Sequence, residues 1–153
     1  MFTKILVPID GSKPAEKALD TALDVAAKYG AEVEVLNVFS IYRYAAILGG
    51  EYDAEANEYP AWASTYLSEV RGYHEKILAD ALNKAHAADP HLTVSTKLVD
   101  GPVTDTIVKE AEAGAFDVIV IGHRGLGGVS KLLLGSISDR VADHAKCSVL
   151  IVK

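Results

Sequence analysis

Five glycines gather in one stretch, Asp117 to Ser138 (DVIVIGHRGLGGVSKLLLGSIS), and their spacing is the part of the chain that could do chemistry. Gly122 is followed after two residues by Gly125, and after nine more by Gly135 and Ser136; Gly127 and Gly128 lie between. Glycines let a backbone take positive φ and approach a ligand closely, so successive amides can point into one concavity. A helix opening at Ser136 adds unpaired N–H groups and the positive end of its dipole. Phosphate is the natural occupant of such a cradle. Ser136 followed by Asp139 also reads as a capping-box-like helix start, a role compatible with presenting an amide and hydroxyl to phosphate.

Two commoner phosphate motifs nearly fit this loop and fail. Gly125, Gly127 and Ser130 approximate a dinucleotide fingerprint but lack its third glycine, and no acidic residue is placed as that motif needs. For a P-loop, Ser130 stands where glycine should precede Lys131, and Leu132 replaces the hydroxyl residue that would hold magnesium. Arg124 and Lys131 are placed either to neutralise phosphate or to lie as solvated charges. His123 reads as a backbone contributor, since the five histidines show no metal-ligand spacing. Leu132 to Leu134 read as packing under the loop. Cys147 reads as a small buried hydrophobe without a histidine partner for catalysis, so no catalytic residue is assigned.

The elements that must position these residues alternate strand and helix. Val118 to Ile121 form the continuous β-branched run of a strand covered on both faces. Thr3 to Ile9 reads as a first strand, left through Asp10, Gly11 and Ser12. Ser12 is a suitable N-cap, Pro14 is tolerated in the first turn, and Ala15, Ala18, Leu19, Ala22, Leu23, Ala26 and Tyr29 share a face up to the Gly30 cap. Glu32 to Val38 is a second strand. Phe39 to Trp62 is irregular, acidic and aromatic, and fits a lid, a packed surface loop or a dimer contact. A helix then runs from about Trp62 to Ala88 with Leu67, Val70, Ile77, Ala81, Leu82 and Ala85 inward. Leu92 to Val99 is a third strand, followed by a Gly101-Pro102 turn and a helix carrying Val103, Ile107 and Ala111 to the Gly114 cap. After the glycine loop come a helix from Ser136 to about Ala145 and a last strand, Ser148 to Val152. Such alternation calls for a single-domain α/β fold: a parallel five-stranded sheet with right-handed crossovers and helices on both faces. Ligands in these sheets bind at the carboxyl ends of strands, where the winding reverses.

Composition narrows the partners. The 153 residues make one domain, half hydrophobic and 24% charged. A net charge of −6 argues against a nucleic-acid partner, which would need clustered Lys and Arg. No apolar run approaches the roughly 20 residues of a membrane span, and the Pro and Asp of MFTKILVPIDGS come too early for a signal peptide. A lone cysteine forbids an intrachain disulfide and fits a reducing cytoplasm.

The G-2x-G-9x-G-(S/T) spacing resembles the nucleotide-binding signature of the ATP-binding branch of the universal stress protein family, and it matches at every fixed position. The VPIDGS start, the Gly101-Pro102 turn and the SVLIV end carry the likeness over residues 1–153. The resemblance implies a Rossmann-like sheet of order 3-2-1-4-5, in which the Asp10 turn faces the glycine loop. It implies ATP or a related adenine nucleotide as ligand, with Mg2+ or Mn2+ an optional companion of the phosphates. The implied site comprises Pro8, Ile9, Asp10, Val38, Gly122, His123, Arg124, Gly125, Leu126, Gly127, Gly128, Gly135, Ser136, Ile137 and Ser138. Pro8 and Val38 would meet adenine and ribose, or simply pack at strand ends; Asp10 would meet ribose hydroxyls or a metal-linked phosphate, or simply hold its own turn. The implied function is a cytoplasmic stress-response protein acting as a nucleotide-dependent switch, against the alternative of a slow ATPase or a phosphoryl- or adenylyl-transfer enzyme. In the implied order Ser148 to Val152 is an unprotected sheet edge, which points to a homodimer through that strand.

Overall fold

A computed structural model describes residues 2–40, 61–126 and 134–153. Its elements are β1 (Lys4–Pro8), α1 (Lys13–Tyr29), β2 (Glu32–Phe39), α2 (Ala61–Ala88), β3 (Val94–Asp100), α3 (Val103–Ala113), β4 (Val118–Gly122), α4 (Ser136–His144) and β5 (Ser148–Val152). The strands form one parallel sheet in the order β3-β2-β1-β4-β5, as expected.

Each strand feeds two cores by its period of two. Ile5, Val7, Val33, Val35, Val118 and Val120 pack under α1 and α2. Leu6, Leu36, Ile119 and Ile121 pack on the other face with Ile107, Ala111, Phe116 and Val141. Burial of each such large side chain contributes roughly 1.5–3 kcal/mol. The inner face of α1 is mostly alanine, which lets the helix lie close over the sheet. Gly30 ends it with φ 67°, a left-handed position suited to glycine. Tyr29, expected inward, is exposed at the last position before the Gly30 cap, and Lys28 Nζ lies 5.6 Å from its ring centre.

Boundaries shift by a residue or two for local reasons. β3 starts at Val94 rather than Leu92, because the backbone of Leu92 is held in a turn by a 3.3 Å bond to the Asp89 carbonyl. In α2 the buried stripe is Ala63, Leu67, His74, Leu78, Ala81 and Ala85, while Val70, Ile77 and Leu82 flank it half-buried. His74, not among the expected inward residues, stacks on Phe39 with ring centres 5.1 Å apart. The aromatic stretch 41–60 lies outside the described residues, as do Lys131 and Leu132. Leu134 is exposed and so does not pack beneath the loop: it follows the loop directly into the α4 start at the surface.

The pairing that matters for the site is between β1 and β4. It covers only Ile5↔Val118 and Leu6↔Ile119, whereas β1 stays paired with β2 up to Pro8↔Leu36. At the other end β1 is pinned to β4: Asp117 Oδ2 accepts from the Thr3 amide at 2.6 Å, the Thr3 hydroxyl at 2.7 Å and the Lys4 amide at 2.9 Å. The strands are therefore tied where they start and unpaired where they end, at the reversal of winding.

Candidate functional site

A cavity of about 500 Å³ opens at those unpaired strand ends. Of the residues expected at the site, the structure brings Pro8 at the end of β1 with Ile9 and Asp10 after it, Val38 from β2, Gly122 at the end of β4, and Arg124, Gly125 and Leu126 from the loop that follows to its walls. The start of α4 closes it with Gly135, Ser136, Ile137 and Ser138. Gly127 and Gly128 lie outside the described residues. Sequence reasoning missed Ala15, Leu36, Val103, Ile107 and Ile121, which give the cavity apolar walls. Leu36 sits two residues before Val38, on the same face of β2, and Val103 and Ile107 are four apart on α3; both periods were visible, but not where the helix passes over the sheet.

Asp10 joins the two loops. Its Oδ1 accepts from the Ser12 amide at 3.0 Å, closing the turn in which Gly11 takes φ 83°. Its Oδ2 accepts from the Leu126 amide at 3.1 Å. The turn reading of Asp10 holds through Oδ1, while Oδ2 ties that turn to the glycine loop. Ser12 caps α1 as expected, its Oγ accepting from the Ala15 amide at 3.4 Å.

The signature glycines do not serve through positive φ; among described glycines only Gly11 and Gly30 have it. They serve through close approach of protein to protein. A Cβ on Gly122 would lie 2.6 Å from the Pro14 carbonyl carbon, so β4 can end directly beneath the first turn of α1 only without one. A Cβ on Gly125 would strike the Asp10 carboxylate, and one on Gly135 would lie 3.1 Å from the His123 oxygen. The spacing therefore brings α1, Asp10 and α4 onto one short loop.

His123 does not line the cavity. Its amide donates to the Val152 carbonyl at 2.8 Å, and its own carbonyl accepts from the Gly135 amide at 2.7 Å. It ties the loop to β5 and to the start of α4. The N-cap of that helix is Gly135, not Ser136, and no side chain caps it. The capping-box reading of Ser136 and Asp139 is corrected accordingly: Ser136 is already the first helical residue, one position too late to cap. Ser138, 2% exposed, has its Oγ 2.9 Å from the His123 oxygen and 3.0 Å from the Gly135 oxygen. Its hydroxyl braces the helix start from inside. The first-turn amides of Ser136, Ile137 and Ser138 have no acceptor within the helix, as in any α-helix, and they stand at the cavity wall.

The arrangement offers amide donors and a helix dipole at one end, a carboxylate at the side and apolar walls at the other. That suits a ligand combining an anionic group with a flat apolar body. Among the described residues no three His, Cys, Asp or Glu side chains group as a metal cage. Cys147 is half-buried against the second core, and burial pushes its thiol pKa up.

Comparison with known proteins agrees with this fold. A family model described as the universal stress protein family matches residues 1–153. The chain is 33% identical over 155 residues to universal stress protein YxiE of Bacillus subtilis, with all of both chains covered. It resembles the structure of universal stress protein UspA from Lactobacillus plantarum at a TM-score of 0.78 and 24% identity, covering 99% of this chain and 98% of that one. A universal stress protein solved in complex with cAMP matches at a TM-score of 0.68 and 25% identity, covering 99% of this chain and 96% of that one.

Proposed function

The chain belongs to the universal stress protein family, and on that premise we propose that it binds ATP or a related adenine nucleotide and acts as a nucleotide-dependent switch in a stress response. The observation that carries this is the cavity of about 500 Å³ in which the Asp10 turn, the Gly122–Leu126 loop and the first turn of α4 converge. In this reading the base lies between Val38, Val103, Ile107 and Ile121, the ribose lies toward Asp10, and the phosphates take the amides of the glycine loop and of Ser136 to Ser138. The structural neighbour solved with cAMP supports an adenine nucleotide as the class of ligand. The full signature spacing, ending on a helix start, supports ATP within it.

Binding is favoured over turnover by Asp10 itself. Both of its oxygens accept amide hydrogen bonds, which makes the carboxylate an anchor of two loops rather than a base aimed at a nucleophile. A divalent cation would arrive on the phosphates, since the described residues build no cage for one. The same reading places the protein in the cytoplasm, with Cys147 as a free thiol. It also makes the protein a homodimer through β5, which lies at the sheet edge and carries Leu150 41% exposed. No helix among the described residues is long and apolar enough to cross a membrane. Native mass spectrometry of gently purified protein tests the ligand class: an added mass matching an adenine nucleotide is expected, and a retained ligand of unrelated mass would contradict the proposal.

A further inference from the structure

Asn37 is the one polar residue in an otherwise apolar end of β2, 1% exposed and flanked by Leu36 and Val38 with Val35 and Phe39 beyond. Its Nδ2 donates to the Ile9 carbonyl at 2.9 Å. Because a carbonyl can only accept, that contact fixes which end of the amide is nitrogen. Among the described residues its Oδ1 is buried with no partner. A buried acceptor left unsatisfied is unfavourable, and a leucine of like volume would suit the surrounding core better. What Asn37 contributes is the bond to Ile9.

Ile9 stands where the sheet gives way to the site. The β1–β2 register ends at Pro8↔Leu36, and the next residue is held on both sides by β2: its amide donates to the Leu36 carbonyl at 2.8 Å, and its carbonyl takes the Asn37 side chain. Asp10 follows immediately. With the N–H and the C=O of Ile9 both held, the peptides on either side of it are fixed, and with them the direction in which the chain leaves β1 and the place where the Asp10 carboxylate meets the Leu126 amide.

We propose that Asn37 is a positioning residue for the nucleotide site: from the buried face of β2 it clamps the Ile9 carbonyl, sets the exit of β1, and so holds Asp10 where it anchors the glycine loop. This rests on the adenine-nucleotide reading above for its consequence in binding, but the clamp itself is a property of the ligand-free chain.

The test is a double-mutant cycle of Asn37→Leu and Asp10→Ala, read by Leu126 amide exchange in the ligand-free protein and by ATP affinity. Asn37→Leu is expected to speed Leu126 exchange and to weaken ATP binding about tenfold, the scale of one lost hydrogen bond. In the Asp10→Ala background the same change is expected to do neither, because the group it positions is gone. Asn37→Val, which suits a strand, gives the same comparison if the leucine variant folds poorly. Unchanged Leu126 exchange in the single variant, or equal weakening of ATP in both backgrounds, would overturn the proposal. If wild-type protein takes up no adenine nucleotide, the binding reading falls while Leu126 exchange still decides whether Asn37 positions Asp10.

Discussion

The Asp10 carboxylate accepts a 3.1 Å hydrogen bond from the Leu126 amide, across 116 residues of chain, and so joins the loop that leaves β1 to the loop that leaves β4. Those strands are unpaired with each other at this end, so the side chain completes a link that the sheet does not make. Replacing Asp10 with Ala removes the acceptor for two amides while touching no core residue. We expect ATP affinity to fall by about tenfold or more, with the melting temperature lowered by only a few degrees. Calorimetric titration beside thermal denaturation checks this, and a variant that binds like the wild type would exclude Asp10 from the site.

The three signature glycines should respond differently to alanine. At Gly122 the new methyl meets the backbone of Pro14 and Ala15, which cannot swing aside, so a loss of about 1–3 kcal/mol in stability is expected. At Gly125 it meets the Asp10 side chain, which can move, so stability should hold and nucleotide binding weaken. Gly135, with 3.1 Å to the His123 oxygen, should fall between. Urea unfolding of the three variants orders them, and Gly125→Ala proving the least stable would contradict the contacts described.

Asp117 gives a pH signature. Hydrogen bonds from the Thr3 hydroxyl, the Thr3 amide and the Lys4 amide lower its pKa to about 2. The unfolded value is about 3.9, so the contribution is fully present above that pH and is lost as pH falls from about 4 toward about 2. Asp117→Asn should flatten that part of the stability profile and leave the profile above about pH 5 parallel to wild type. Urea midpoints measured against pH decide it; an unchanged acid limb would show that the carboxylate is not stabilised there.

The β5 edge makes a prediction about assembly. Ser148 to Val152 pairs only with β4 among the described strands, leaving its other side to a second copy. Wild-type protein should sediment as a dimer at micromolar concentration, and Val149→Pro should sediment as a monomer, because Ser148 and Val152 bond toward β4 and the alternating Val149 N–H is a donor on the free side. A dimer that survives the proline would place the interface elsewhere.

Much of this was legible in the amino-acid sequence, for physical reasons that differ by element. The β-branched run at Val118 to Ile121 and the apolar SVLIV segment could be read as strands because covered strands leave little else possible, and the Asp10 turn was visible from Asp-Gly-Ser alone. The meeting of Asp10 with the glycine loop followed from the strand order that the family resemblance implied, since alternation of strand and helix does not fix that order. Long-range packing was not legible. His74 was not among the expected inward residues of α2 although it stacks on Phe39 inside the buried stripe, and Val103 and Ile107 could be placed on one helix face but not over the cavity. The glycines were read for φ and ligand approach, while Gly122 is shaped by Pro14, a neighbour that only the packed structure supplies. Asn37 offered no local signal, because its partner lies 28 residues away.

The central claim, that this cavity holds an adenine nucleotide, is tested most directly by calorimetric titration of ATP, AMP and cAMP into purified protein freed of bound ligand. The account predicts saturable one-site binding of at least ATP with a Kd of roughly millimolar or tighter, weakened in Asp10→Ala. Absence of binding by all three at millimolar concentration would contradict it.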